Sequence, residues 1–370
     1  MKIGIVTLAQ GNDNYGGALQ AYALQTVLSQ MGHESFFVNT ELSRRPQKYS
    51  RFIEHPMREI QRYRRYRSFL PFWRENFNMD PKGCRSVADC LSDPSVADAL
   101  ICGSDQIWAR GLRNDPLERR LSFLDFKCNR DIRIAYAASW GSVELEEDNI
   151  PCISSLLNRF TAVGVREDSG VVLAGRCGAE AKWVVDPTLL LDAGFWSSFA
   201  EKSTRMCPGN TLLFSGYRWK SKLSPKKAVN LLRKKRGLGL AVPCYEKYFT
   251  FLGSNVVLNP CDWVRYIRDA DFVLTNSFHC MVFSIIFHKP FAVLSLGGHY
   301  EGMNTRVESL GARLGLRNRI VNTESELAAI ENLSIDWGRV DSALNEWISE
   351  SSRFLRNCLC CREGGREKGV

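Results

Sequence analysis

A chain of 370 residues is longer than one compact core usually serves, so two domains are expected. An apolar share of 45 % beside 24 % charged residues excludes a disordered or fibrous chain. The longest apolar run, around Met281 to Phe287, is too short to span a bilayer, and Met1-Lys2 leads directly into the strand-like Ile3-Gly4-Ile5-Val6 without a leader pattern. The expected compartment is therefore the cytoplasm, where 13 scattered cysteines read as reduced small hydrophobes. Their one cluster, Cys358-Leu359-Cys360-Cys361, lacks paired CxxC spacing and a following histidine, so no metal is expected there.

In chain order, Ile3 to Leu8 reads as a strand that opens into the polar, glycine-rich loop Gly11-Asn12-Asp13-Asn14-Tyr15-Gly16-Gly17. A helix follows with Leu19, Tyr22, Ala23, Val27 and Met31 on one face, ended by Gly32. Backbone amides of such a loop can approach an anion closely, or the loop can be a plain turn; it is not the GxGxxG pattern, so NAD is not indicated. Phe36 to Asn39 is a second strand. A basic segment comes next. Of the net charge of +9, much sits in Arg44, Arg45, Lys48, Arg51, Arg58, Arg62, Arg64, Arg65, Arg67 and Arg74, interleaved with Tyr49, Tyr63, Tyr66 and Phe69. This insertion, roughly 44–78, is predicted helical with breaks at Pro46, Pro56 and Pro71. It suits a solvated surface, or contact of 44–74 with an anionic membrane face or a lipid diphosphate; no nucleic-acid motif accompanies it, and nucleic acid is not an expected partner.

The next apolar runs each stop at a small or polar group. Ala99 to Cys102 ends at Gly103-Ser104-Asp105-Gln106, Ile134 to Ala138 at Ser139-Trp140-Gly141, Ala162 to Val165 at Arg166-Glu167-Asp168-Ser169, and Trp183 to Val185 at Asp186-Pro187-Thr188. Repeated strand ends of this kind converge on one rim of one parallel sheet, where open α/β folds bind ligands. A polar stretch at 203–210 marks the expected linker. Beyond it a second α/β unit is predicted. Its strands are Thr211 to Ser215, Leu238 to Val242, Asn255 to Leu258 and Phe291 to Leu296; between them lie a basic helix carrying Lys226 to Arg236 and a helix capped by Asp262. A last amphipathic helix carries Val340, Leu344, Trp347 and Ile348. The expected organisation is 1–202, 203–335, and a C-terminal helix and tail over 336–370.

The most informative stretch is Phe272 to Lys289. An apolar run ends in Thr275-Asn276-Ser277 and restarts at helical spacing with Met281, Val282, Ile285 and Ile286. His279 falls in the first helical turn, where the partial positive charge favours anions and neutral imidazole. It reads either as a proton donor or acceptor beside an anionic ligand, or as a histidine that only bonds the turn.

Several stretches, in order, together resemble the polysaccharide pyruvyl transferase family. They are Asn14 to Tyr22 (NYGGALQAY), Gly103 to Trp108 (GSDQIW), Ala137 to Gly141 (AASWG), Val165-Arg166-Glu167, Asp186-Pro187-Thr188, Ser277-Phe278-His279 and Asn304-Thr305-Arg306. The resemblance implies an α/β fold of two Rossmann-like domains facing each other across a GT-B-like cleft. It implies transfer of the pyruvyl group of phosphoenolpyruvate, as a ketal, to two hydroxyls of a sugar in capsule, exopolysaccharide or cell-wall glycan synthesis, with no further cofactor. The acceptor sugar could be carried on a lipid diphosphate. On this reading His279 and Asp105 are the catalytic candidates. Arg166 and Arg306 supply forked donors to phosphate and carboxylate, and Ser277, Asn14, Tyr15, Gly16, Ser104 and Ser139 line the substrate site. Two departures stand out: Ser277-Phe278 precede the histidine where members often carry arginine or leucine, and lysine is common where Arg306 aligns. Plain structural roles compete, an ion pair for Arg166 and a helix cap for Asp105. So do two other functions. A GT-B glycosyltransferase using a nucleotide sugar would need Glu301 or Glu308 on a ribose. A non-catalytic sugar-binding protein of glycan assembly would not need His279.

Overall fold

Every residue of β3 (Ala99–Gly103) and β4 (Ile132–Ala138) is buried, the mark of strands covered on both faces, and the sheet they share is, like the second sheet, parallel throughout. The computed structural model describes residues 1–8, 13–38, 56–216, 221–243 and 255–360. The first sheet runs β2-β1-β3-β4-β5-β6, with β1 Lys2–Val6, β2 Glu34–Phe37, β5 Ala162–Val165 and β6 Ala181–Trp183. The second runs β12-β11-β10-β7-β8-β9. Its strands are β7 Thr211–Ser215, β8 Gly239–Pro243, β9 Asn255–Val256, β10 Phe272–Thr275, β11 Phe291–Leu294 and β12 Ile320–Val321. Read from β9, that order is the 3-2-1-4-5-6 of dinucleotide-binding folds. Each sheet reverses its winding once, between β1 and β3 and between β7 and β10. Crevices for ligands open at such points.

Helix α1 (Tyr15–Gln30) starts where the side chain of Asn14 accepts from the amides of Gly16 and Gly17, and the chain turns away at Gly32 with φ +81°. Helix α2 (Pro56–Asn76) carries the described part of the basic insertion; Pro46, Tyr49 and the cations Arg44, Arg45, Lys48 and Arg51 lie outside the described residues. Pro71 does not break this helix as predicted. It sits on the exposed side, where water can satisfy the carbonyl it leaves unbonded, while Phe69, Phe72 and Trp73 anchor the opposite side in the core. Arg65 turns inward too: its guanidinium donates to the Asp13 carbonyl, pairs with the Asp13 carboxylate at 3.4 Å and lies 4.9 Å over the Tyr15 ring.

The two halves exchange helices. Helix α3 (Asp168–Arg176) follows β5, but α4 (Ala193–Glu201), which follows β6, packs on the second half. There Trp196 meets Phe283 edge-on at 4.8 Å and Glu201 accepts from Arg268 at 2.6 Å. Helix α5 (Pro225–Arg236) is the predicted basic helix, closed by Gly237 in the left-handed conformation. Helix α6 (Pro260–Asp269) is capped by Asn259, not by Asp262: Pro260 takes the first helical position, so Asp262 lands at the third and completes a capping box. Helices α7 (Phe278–Ile286) and α8 (Thr305–Arg313) follow β10 and β11. The last helix, α9 (Trp337–Cys360), returns to the first sheet, where Val185 N–H donates to Ser351 Oγ at 3.0 Å and Trp347 Nε1 to the Trp183 carbonyl at 3.0 Å. One apolar cluster therefore runs unbroken from Ile3, Ile5 and Leu19 through Trp196, Trp263 and Phe283 to Leu355. Among the described residues no helix is long and apolar enough to cross a membrane.

Candidate active site

The strand ends of the first sheet meet at one buried carboxylate. Asp186, just past β6, accepts at Oδ2 from Ser104 Oγ (2.6 Å) and Arg166 Nη1 (3.1 Å), and at Oδ1 from Thr188 N–H (3.1 Å) and Oγ1 (2.7 Å). Burial works to raise its pKa, but His279, Arg166 and the Ser104 hydroxyl outweigh it and hold the group far below the usual carboxylate range. Behind it, the phenol of Tyr136 is pushed well up by burial and by the negative charge of Asp186.

Two backbone irregularities aim the rim. Asp105 has φ +54°, a left-handed conformation that aspartate tolerates better than most residues. Its Oδ1 lies 3.7 Å from Arg166 Nη2. The register of β4 against β5 shifts between Ala135 and Ala138, with Ala137 also at φ +54°. This bulge turns Ser139 toward Glu167, whose Oε1 accepts from Ser139 Oγ (2.9 Å) and Trp140 N–H (2.8 Å).

His279 comes from the second half. Thr275 ends β10, its hydroxyl receives the Ser277 amide at 2.9 Å, and α7 begins at Phe278 with Ser277 as N-cap residue. His279 is buried, with Nε2 3.5 Å from Asp186 Oδ2, an ion-pair distance at which it makes no hydrogen bond among the described residues. Its other ring nitrogen lies against the second residue of α1: a Cβ built on Gly16 would sit 2.0 Å from His279 Nδ1. The first turns of α1 and α7 thus meet at this imidazole, and both present partial positive charge. Arg166, 2 % exposed, completes the cluster. Its guanidinium lies 4.6 Å over the Phe278 ring, and Nε and Nη2 make no hydrogen bond among the described residues.

The structure therefore brings together His279, Asp105, Arg166, Ser104 and Gly16. Asn14 is spent on capping α1, and Tyr15 is buried between the halves, stacked 5.1 Å from Trp263 with its hydroxyl on the Leu258 carbonyl (2.9 Å). The Ser139 hydroxyl serves Glu167, and that of Ser277 does not cap its helix. Arg306 lies buried in the first turn of α8, its Nε donating to the Met303 carbonyl at 3.3 Å. Glu301 pairs with Lys222 at 2.5 Å. The hub itself, Asp186, was not among the predicted site residues. Its signal was present, an acidic residue at a strand end before Pro187, but the same pattern serves ordinary turns. Among the described residues no group of His, Cys, Asp and Glu could hold a metal ion.

Two facing parallel sheets, each with its winding reversal toward the other and a final helix crossing back, define a GT-B-fold protein. The solved structures agree. UDP-GlcNAc 2-epimerase from Methanocaldococcus jannaschii superposes with a TM-score of 0.52 at 10% identity, over 96% of this chain and 99% of that one. UDP-N-acetylglucosamine 2-epimerase from Rickettsia bellii does so with a TM-score of 0.51 at 11% identity, over 97% and 95%. At these identities the likeness concerns the fold alone. No curated protein matches the chain. The sequence itself decides the family: residues 14–298 match the model of polysaccharide pyruvyl transferase, and the chain belongs to that family.

Proposed function

We propose that this protein moves the pyruvyl group of phosphoenolpyruvate onto two hydroxyls of one sugar, forming a ketal and releasing phosphate, in the synthesis of a bacterial surface polysaccharide. The supporting observation is a buried arginine, Arg166, with two N–H groups lacking hydrogen-bond partners among the described residues, set beside one imidazole where two helix N-termini meet. That is a site for a multiply charged anion next to a proton carrier. In the reaction the methylene carbon takes a proton, one sugar oxygen bonds to C2, the second displaces phosphate, and the two hydroxyl protons leave to base and phosphate. His279 is the proton donor to the methylene, Asp105 the acceptor from the first hydroxyl, and Arg166 with Arg306 holds phosphate and carboxylate.

Phosphate release from phosphoenolpyruvate with galactose-, glucose- and mannose-containing acceptors tests this. Wild type should release phosphate only with its acceptor, His279→Ala should lose at least about a hundredfold in rate, and Arg166→Lys should raise the KM for phosphoenolpyruvate about tenfold by losing a charge-assisted bond. No release with any acceptor, together with thermal stabilisation by a nucleotide sugar, would establish the glycosyltransferase instead.

We infer further that the acceptor is lipid-linked and that α2 faces the anionic surface carrying it. The helix is amphipathic in an unusual sense: Arg65, Phe69, Phe72 and Trp73 are buried, while Arg64, Arg67 and Arg74 lie exposed beside Ile60 and Tyr63.

A further inference from the structure

We infer that Asp186 is the positioning residue that holds His279 for proton transfer and stabilises its imidazolium; this rests on the pyruvyl-transfer reading. The geometry carries the inference. Asp186 is 1 % exposed and fixed on four sides by Ser104, Arg166 and both donors of Thr188, so its carboxylate cannot turn away from the imidazole 3.5 Å from it. Gly16 closes the opposite edge of the ring. Held between them, the imidazole keeps one orientation, with Nε2 toward the carboxylate and Nδ1 against Gly16. The charge balance favours this role. Asp186 faces the ring at 3.5 Å and also binds Arg166 at 3.1 Å, a cation that would oppose a second positive charge, while Asp105 lies 3.7 Å from Arg166 Nη2. The Tyr136 phenol behind Asp186 stays neutral, α1 presents Gly16 to the ring, and Glu167 and Arg306 lie on the flanking elements. Without Asp186 the guanidinium would keep only the longer pairing with Asp105, and the imidazolium would lose the carboxylate 3.5 Å from it.

Asp186→Asn removes the charge while its amide oxygen can still accept from Ser104 and Arg166, at the loss of the bond from the Thr188 amide. The expected result is a fall in kcat of about 10²–10⁴-fold, a KM for phosphoenolpyruvate within about threefold of wild type, and an alkaline limb of the pH–rate profile displaced to lower pH. An unmoved limb with a raised KM would overturn the inference and make Asp186 a support for Arg166. Thr188→Val, which loosens Asp186 without touching His279 or Arg166, covers the case in which the first variant does not fold. It should lower kcat about tenfold at unchanged KM, and unchanged kcat would count against the idea. A readout independent of the reaction is the pair of ring ¹⁵N shifts of His279 by NMR, which should differ between wild type and Asp186→Asn and be absent from His279→Asn. Equal shifts in wild type and Asp186→Asn overturn the pairing, whereas wild type without acceptor-dependent phosphate release overturns the pyruvyl-transfer reading alone.

Discussion

At Gly16 the demand for glycine arises from a side chain in the other half of the molecule. The amide of Gly16 is satisfied by Asn14, as a plain helix start would have it, but any Cβ would enter the His279 ring. Gly16→Ala should therefore displace the imidazole by about an ångström and lower acceptor-dependent phosphate release by about 10²-fold. The overpacking should cost only about 1–3 kcal/mol of stability. Steady-state rates beside a urea unfolding curve test this; wild-type turnover in a folded Gly16→Ala would show that the contact does not matter. The residue types at the site were readable because anion and proton chemistry restrict them to Arg, His, Asp and glycine at strand ends. Their division of labour was not. Tyr15 and Gly16 are neighbours in one motif, yet Tyr15 stacks on Trp263 while Gly16 clears His279, and that choice depends on partners more than two hundred residues away.

Helix α2 shows how far periodicity carries an element. Arg64 and Arg65 are adjacent and chemically identical, but one helical step of 100° puts Arg65 with Phe69 and Phe72 against the core and Arg64 with Ile60 and Arg67 outside. Composition alone showed a basic, aromatic segment; the helical phase separates its structural cation from its available ones. The membrane inference is tested on that phase. Reversing Arg64, Arg67 and Arg74 to glutamate should weaken sedimentation with phosphatidylglycerol vesicles by more than about a hundredfold at low salt, since each cation near an anionic surface is worth about 1 kcal/mol and each glutamate adds repulsion. Equal binding by the triple variant and wild type would sink the idea. Arg65 is left alone because its loss would undock the helix from Asp13 and Tyr15.

At the scale of the whole molecule, the two parallel sheets were legible from strand ends and spacing, but the exchange of α4 and α9 between the halves was not, because an amphipathic stripe does not say which sheet it covers. That exchange makes one core of two sheets, and Asp186 sits where the polar part of the joint is buried. Its ionisation therefore bears on the stability of both halves. The carboxyl is depressed in the folded protein relative to about 3.9 in an unfolded chain, so its contribution is fully present above that pH. As pH falls below about 4 the unfolded state takes up a proton that the folded state refuses, and stability drops by up to about 1.4 kcal/mol for each pH unit. Asp98, lowered chiefly by the Lys2 amide, and Glu146, lowered against its burial by bonds that include those from Arg113, act in the same direction. Asp186→Asn, which has no proton to bind, should thus be less stable than wild type at neutral pH but lose less of its melting temperature between pH 4 and pH 2. Parallel curves for the two proteins across that window would mean that Asp186 is not held ionised at the joint between the halves.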